Sequence, residues 1–466
     1  MVLKILYVVG SAILPAKYFT HAVLAVAGVV TIYIFSQGRQ TRRERDLHGP
    51  FTPNGLTLLD SLAQRGAHII ALTPEPPDTG APGTLVSLLR GTTSNENIYA
   101  EQCDLASPAS IRVFCENYRK SEQRLDAVIF AHEYAPVGSI FSREGAALEN
   151  ARRAASCATF LFITLLLPLL LTAPVERDIR LITLVNPFYA AAASARAFSP
   201  SLRSSSSSSS SSSLFLREGR RALRTAIFTR HLQRVLDALN SGSQVPRTDV
   251  NARSIPVMSG EAQRSNIVAV SVSPGISRTD VIAPLLGADP SRGGVSRWGM
   301  VLYILLNPLV RILTKSPGSA SQSTLHALFL PTPFKSLAVS PDDAQRRAPE
   351  EVLKPGALYA ECAVVSVHVP ATRVTTEGME TETTTSTPTS EMGTNTNTSD
   401  TPGVGAPRPD DGELGGVALG MQVWDDYERE LKVWEAAKAP HSTVDDDGKA
   451  TKREGSQGSS IPSNTR

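Results

Sequence analysis

The stretch from Gly49 to Leu72 restricts the fold of this chain more than any other. Gly49-Pro50-Phe51-Thr52-Pro53-Asn54-Gly55 is a run of turn formers, and Leu56 to Gly66 (LTLLDSLAQRG) carries apolar residues at helical spacing. Ala67 to Leu72 (AHIIAL) then reads as an apolar strand. A turn, an amphipathic helix and a buried strand in that order form one step of an α/β domain, whose sheet is covered by helices.

The pattern continues downstream. Ser107–Lys120 is a predicted helix, begun by Ser107 with Pro108 in its first turn, and Leu125–Phe130 (LDAVIF) is the next strand. An apolar helix ending in Leu165–Pro168 (LLLP) leads to strand Ile179–Val185, and a long helix covers about Arg217–Asn240. Strand Ile267–Val272 runs into Ser273-Pro274-Gly275, followed by a helix over about Ala320–Leu330 and a last strand over about Ala357–Val365. Strands separated by helices of this length predict a Rossmann-like, doubly wound parallel α/β sheet. A first strand should stand directly before Gly49, but Arg39–His48 (RQTRRERDLH) is almost wholly polar. The first strand is therefore expected to be missing.

Composition narrows the function classes. Lys plus Arg number 46 against 44 Asp plus Glu, so charge gives no reason to expect nucleic acid. Cys103, Cys115, Cys157 and Cys362 are scattered and form no CxxC pair, which predicts four buried thiols in a reducing compartment rather than a zinc site or a disulfide framework. No HxxxH and no clustered carboxylates argue for a metal, and none is expected. His48 reads as solvated and His68 as a core residue on a strand.

Residues 1–36 are read as a membrane anchor. After Lys17 about 18 residues up to Phe35 lack Asp, Glu, Lys and Arg, and at about 1.5 Å per residue they span about 27 Å, close to a hydrocarbon core. Arg39, Arg42, Arg43 and Arg45 follow, placing the rest of the chain in the cytosol by the positive-inside rule. A cleaved signal peptide and a buried core helix are the competing readings. The membrane is that of the endoplasmic reticulum or the outer mitochondrial membrane, the anchor length favouring the reticulum. Phe160–Leu171 is too short to span and is expected as a buried helix; Val301–Leu313 could equally cover a substrate, touch a membrane or lie in the core.

The expected organisation is then an anchor over 1–36, the α/β domain over 37–366 with a flexible ten-serine insertion at 204–213, and a disordered linker over 367–420. An aromatic amphipathic helix follows over 421–437 and a disordered tail over 438–466. In that helix Trp424, Tyr427, Leu431 and Trp434 share a stripe that either docks on its own domain or takes a partner.

Together these segments resemble the short-chain dehydrogenase/reductase superfamily over about residues 47–366. Cys103-Asp104-Leu105 is similar to the family's adenine-contacting aspartate, and Ser273-Pro274-Gly275-Ile276-Ser277-Arg278-Thr279 to its PGxxxT element beside the nicotinamide. FTPNGLTLL and EGRRALRTAIFTRHLQRVLDAL, behind an anchored basic flank, resemble uncharacterised fungal membrane-anchored members. The resemblance implies NAD(P) as cofactor and Gly49, Gly55, Asp104, Leu105, Pro274, Gly275 and Thr279 as its contacts.

The chemistry departs from that pattern. Family members use a tyrosine whose pKa is lowered by a lysine four residues on. Aligned on Ile227-Phe228-Thr229, the tyrosine position holds Glu218 and the lysine position Ala222, while the serine position holds Asn186 and the helix asparagine Ala155. No YxxxK occurs in the chain. In the glycine-rich turn the middle glycine is Pro53, which lacks the N–H that could bind a pyrophosphate. Ala131-His132-Glu133-Tyr134 replaces the family's glycine-containing turn, and Thr73-Pro74 leaves ribose discrimination unreadable. The expectation is a catalytically inactive, membrane-anchored binding or regulatory protein with a lipid-like ligand or a protein partner. The alternatives are an oxidoreductase on a lipid-like carbonyl or alcohol, served by Glu218, His132 or Tyr134, and a scaffold carried by the C-terminal helix and linker.

Overall fold

The computed structural model describes residues 49–77, 80–121, 124–134, 137–141, 146–174, 177–193, 214–243, 265–288, 297–332, 351–369 and 412–438. The anchor expected over 1–36, the ten-serine insertion and the tail from 439 lie outside the described residues.

A 3-10 turn over Gly49–Phe51 leads into α1 (Pro53–Ala63), which starts where it does for two reasons. The Thr52 hydroxyl accepts the Gly55 N–H at 3.3 Å, and Pro53 sits at the first helical position, where its missing N–H costs nothing. Strand β1 (Ile69–Thr73) is followed by α2 (Ala81–Thr93) and β2 (Ile98–Gln102). Next come α3 (Pro108–Lys120), β3 (Ala127–Phe130), α4 (Ala146–Leu171), β4 (Ile179–Leu184) and a 3-10 turn over Pro187–Ala192. The chain continues through α5 (Leu214–Ser243), β5 (Ile267–Ser273), a π-turn over Arg278–Ile282, α6 (Arg297–Leu313) and α7 (Pro317–Phe329). It ends in β6 (Leu358–Ala360), β7 (Ala363–Val365) and α8 (Gly416–Lys438).

The sheet is in two pieces. Strands β1 and β2 pair in parallel, and β3, β4, β5 and β6 form a second parallel set with β7 antiparallel at its edge. In a doubly wound sheet of order 3-2-1-4-5-6 the first strand hydrogen-bonds to both neighbours. Here, among the described residues, β1 pairs only with β2 and β3 only with β4. The segment before Gly49, where the first strand is expected, lies outside the described residues.

Alternation along the inner strands sorts the core into layers. Ile179, Leu181, Ile267 and Ala269 face the side covered by α3, α4, α5 and α8, whereas Ile182, Leu184, Val268, Val270 and Val272 face α7. Residues that sit on a parallel sheet between two helical layers must be apolar on both faces, and β4 and β5 are buried throughout. Ile70 and Leu72 of β1 pack on the same cluster as Phe130 of β3, so one apolar layer bridges the two sheet pieces. By length and composition Glu149–Leu171 could cross a membrane, but 61% of its most apolar window is buried. It serves here as the central core helix, as Phe160, Leu161 and Ile163 indicate.

Four expectations change. The predicted last strand is a hairpin, because Glu361 and Cys362 both adopt positive φ (55° and 64°) and turn the chain back on itself. Helix α2 and strand β2 were not anticipated: β2 (IYAEQ) is a half-polar edge strand with an exposed Tyr99 and lacks the apolar run that marks its neighbours. Cys362 is only half-buried, while the other three thiols are buried as expected. The domain also does not end at 366. Val367 and Val369 are buried, Leu414 N–H donates to the Val367 carbonyl at 3.0 Å, and α8 begins at Gly416 rather than 421.

That last helix is part of the core. Leu419, Val423 and Tyr427 are buried, Tyr427 stacks on Phe160 at 5.6 Å between ring centres, and Trp424 meets Phe160 and Phe228. Arg224 lies over the Tyr427 ring at 3.9 Å and pairs with Glu430 at 2.9 Å. Leu431 and Trp434 complete the stripe against the same cluster. The docking alternative for this stripe is the one the structure contains.

Candidate functional site

In an open α/β sheet the binding crevice lies beyond the carboxyl ends of the strands, and the candidate residues gather there in two groups. The first surrounds the N-terminus of α1. Such an end presents unpaired N–H groups and the positive pole of the helix dipole, and so attracts an anion. In this chain a carboxylate of the chain itself is in that place. Asp280 is buried; its Oδ1 accepts the Asn54 N–H at 3.4 Å and its Oδ2 accepts the hydroxyls of Ser277 (2.8 Å) and Thr279 (2.9 Å). The Gly55 N–H is taken by Thr52, and Pro53 has none to offer. The residues present therefore do not fit a dinucleotide pyrophosphate at this end.

The other residues expected to touch a cofactor are placed as follows. Gly49 opens the 3-10 turn, and Gly55 is buried in the first turn of α1. Pro274 and Gly275 follow β5, with Gly275 at φ 91°, a conformation that suits glycine. A side chain there would press on Lys315, whose Nζ lies 3.1 Å from the Cβ position. Thr279 joins the Asp280 cluster. Asp104, just after β2, uses its carboxylate to accept the Ala106 N–H at 2.9 Å, and Leu105 packs on the core. Thus the α1 end and the PGxxxT loop are brought together, whereas no contact links Asp104 to them among the described residues.

The second group holds the positions that the sequence resemblance aligns with catalytic residues. Asn186 and Glu218 do meet: the Asn186 amide donates to the Glu218 carbonyl at 3.2 Å and to its Oε2 at 3.4 Å. The Glu218 carboxylate also holds Arg152 (3.0 Å), Arg221 (3.0 Å) and the Gly138 N–H (3.2 Å), all of them buried. It is a two-arginine ion cluster in which the protein's own groups occupy the carboxylate. Ala222, one turn on, is buried in the core. Ala155 contributes only its carbonyl, 3.0 Å from His132 Nε2. The 3-10 turn after β4 is packed directly on α5: a Cβ on Gly219 would lie 2.4 Å from the Phe188 carbonyl oxygen.

The other candidate acids and bases are equally committed. His132 Nε2 also lies 2.9 Å from the Thr159 hydroxyl, which itself donates to Glu133 at 2.8 Å; the Thr225 hydroxyl bonds the other Glu133 oxygen at 2.6 Å. The Tyr134 hydroxyl donates to the Gly275 carbonyl at 2.9 Å. Burial, and then the nearby charge of Asp280, push that phenol far above its usual 10, the opposite of what a proton donor near neutral pH needs. Asp280, Arg152, Arg221 and Glu133 were not read as site residues in the sequence. Single charged residues in helices and turns carry no periodic signal, and only the fold shows that they are buried. Among the described residues no group of three or more His, Cys, Asp or Glu could hold a metal.

The chain is 23% identical over 325 residues to an uncharacterised oxidoreductase of Schizosaccharomyces pombe (pbr1), covering 67% of this chain and 78% of the relative. It is 26% identical over 319 residues to an uncharacterised oxidoreductase of Saccharomyces cerevisiae (YNL181W), covering 64% and 72%. No family model matches. Solved structures similar to it include a short-chain dehydrogenase of Salmonella enterica (TM-score 0.38, 14% identity, 66% of this chain and 91% of that one). Another is a short-chain dehydrogenase of Burkholderia cenocepacia in complex with NADP (TM-score 0.37, 12% identity, 61% and 92%). The chain is similar to these fungal oxidoreductases.

Proposed function

We propose that this protein no longer transfers hydride between a carbonyl and an alcohol, and that it acts by binding a lipid-like ligand or a protein partner at a membrane. The observation that carries the reading is the fate of the tyrosine and lysine positions: Glu218 is locked in a buried cluster with Arg152 and Arg221, and Ala222 is core. Asp280 at the α1 terminus supports the same conclusion for the cofactor. The uncharged run up to Phe35 and the arginines after it support an anchor with the domain facing the cytosol, in the endoplasmic reticulum or the outer mitochondrial membrane. The test is thermal unfolding of the full chain in nanodiscs against NADPH and NADH. No stabilisation is expected at millimolar nucleotide; a saturable rise that follows RT ln(1 + [L]/Kd) overturns the proposal.

A second reading is favoured by the relatives, both of which are named as oxidoreductases. It is an NAD(P)-dependent oxidoreductase acting on a lipid-like carbonyl or alcohol at the cytoplasmic membrane face. Nucleotide binding together with substrate-dependent oxidation of NADPH would establish it.

A further inference from the structure

Helix α6 turns its apolar face outward. Trp298, Val301, Leu305, Leu309 and Ile312 are 68%, 56%, 65%, 51% and 81% exposed, and they follow one another at steps of three and four residues. That spacing gathers them into a single stripe about four turns long. Scattered exposed apolar residues need no explanation, but five on one helical face do. The opposite side of the helix holds it to the domain through buried Val310. Its C-terminal end is tied to the PGxxxT loop: the Lys315 N–H donates to the Ile276 carbonyl at 3.0 Å and the Arg278 N–H to the Lys315 carbonyl at 3.1 Å. Ile276, beside this clamp, is itself 41% exposed.

We infer that α6 lies in the surface of an anionic bilayer, with this stripe in the boundary between headgroups and acyl chains. Charge favours a lipid surface over a protein groove. From Arg297 to Lys315 the sequence carries Arg297, Arg311 and Lys315 and no Asp or Glu; Lys315 pairs with Glu361 at 3.2 Å, and Arg311 is exposed. A tryptophan at one end suits the interface, where an amphipathic ring has both an apolar and a wet side. Reach favours it too. The uncharged run outside the described residues ends at Phe35, 14 residues before Gly49, and 14 residues span at most about 49 Å. A domain tethered that closely meets the bilayer often. The tether argument rests on the membrane reading above; the exposed face does not.

The test uses the full chain with vesicles of phosphatidylcholine, alone or with phosphatidylserine, containing a brominated lipid that quenches tryptophan in the bilayer. The chain has three tryptophans, and Trp424 and Trp434 pack on the domain, so Trp298→Phe isolates the signal of Trp298. The inference expects quenching that grows with phosphatidylserine, disappears in Trp298→Phe and is largely lost in Leu305→Glu, a change at an exposed position that leaves the fold intact. Vesicle flotation separates this inference from the anchor reading. A chain that floats while Trp298 stays unquenched overturns the α6 assignment and leaves the anchor standing. A wild type that floats while Leu305→Glu does not supports α6 and overturns the anchor; a wild type that does not float overturns both. An unquenched Trp298 in a dimer that Leu305→Glu dissociates assigns the face to a second copy of the chain and overturns the bilayer.

Discussion

The Asp280 carboxylate accepts the Asn54 N–H at 3.4 Å, at the helix end where a related dinucleotide-binding fold would receive a pyrophosphate. Two negative groups cannot share that position without repulsion. Asp280→Asn keeps a side chain of the same size and removes the charge. If the carboxylate is what bars nucleotide, the variant gains affinity for NADPH by roughly tenfold or more, about 1.4 kcal/mol. Equal behaviour of wild type and variant in isothermal titration would place the obstacle elsewhere, at Pro53.

Glu218 holds two arginines in a site from which water is excluded. Removing one member of such a cluster strands the remaining charges, so Glu218→Gln is expected to cost about 3–5 kcal/mol in urea unfolding. The same argument predicts that the double change Glu218→Tyr with Ala222→Lys fails to restore dehydrogenase activity. It would destroy the ion cluster and drive a cation into the core. A folded, active double variant would refute the view that this site has been rebuilt for structure. A loss below about 1 kcal/mol for Glu218→Gln would show that the cluster is solvated instead.

The contact of Gly219 with the Phe188 carbonyl gives a sharper test of the same region. Since a Cβ would lie 2.4 Å from that oxygen, Gly219→Ala must push the Pro187–Ala192 turn off α5. Overpacking of this kind costs about 1–3 kcal/mol even though alanine is the better helix former. A stabilised Gly219→Ala variant, measured by thermal melting, would mean that the turn is not packed on the helix.

How much of this was legible beforehand depended on the kind of signal. Strands such as Ile179–Leu184 and Ile267–Ser273 are buried throughout because helices cover both faces, and their mostly apolar sequence announces them despite Arg180, Thr183, Ser271 and Ser273. The expectation that the first strand is missing rests on the polar run Arg39–His48, which lies outside the described residues. The substitutions Glu218 and Ala222 followed from alignment to a resemblance, but their consequence did not. Nothing local says that Arg152, 66 residues upstream of Glu218, will sit 3.0 Å from it. The return of the chain at Leu414 to pair with Val367 was hidden by the composition between them, which reads as a linker.

That return makes α8 a structural element. Tyr427 is buried between Phe160, Phe228 and Arg224, so Tyr427→Ala should cost about 3–5 kcal/mol, as for other large aromatic truncations. A chain cut after residue 369 should expose the Phe160–Phe228 surface and aggregate or bind a hydrophobic dye. If instead it unfolds at the same temperature as the full chain, α8 is an appendage and is free to serve a partner.

The α5–α8 contact should also weaken in acid through His231. Its ring packs edge-on against Trp424 at 5.8 Å, and Gly420 is close enough that a Cβ there would meet Nδ1 at 2.7 Å. Burial, then the positive charge of Arg234, hold its pKa below the usual 6.5, with Asp425 opposing. Because the folded chain resists the proton, the stabilisation is complete above pH 6.5. As the pH falls below that value the unfolded chain takes up the proton first, and stability is lost down to the folded-state pKa. Acid acts on the rest of the chain as well, so the measurement is a difference: thermal melting of wild type and His231→Gln from pH 7.5 to 5. The variant should lose less stability than the wild type below pH 6.5, and Trp424 emission should report the release of α8. Parallel curves for the two proteins would remove His231 as the source.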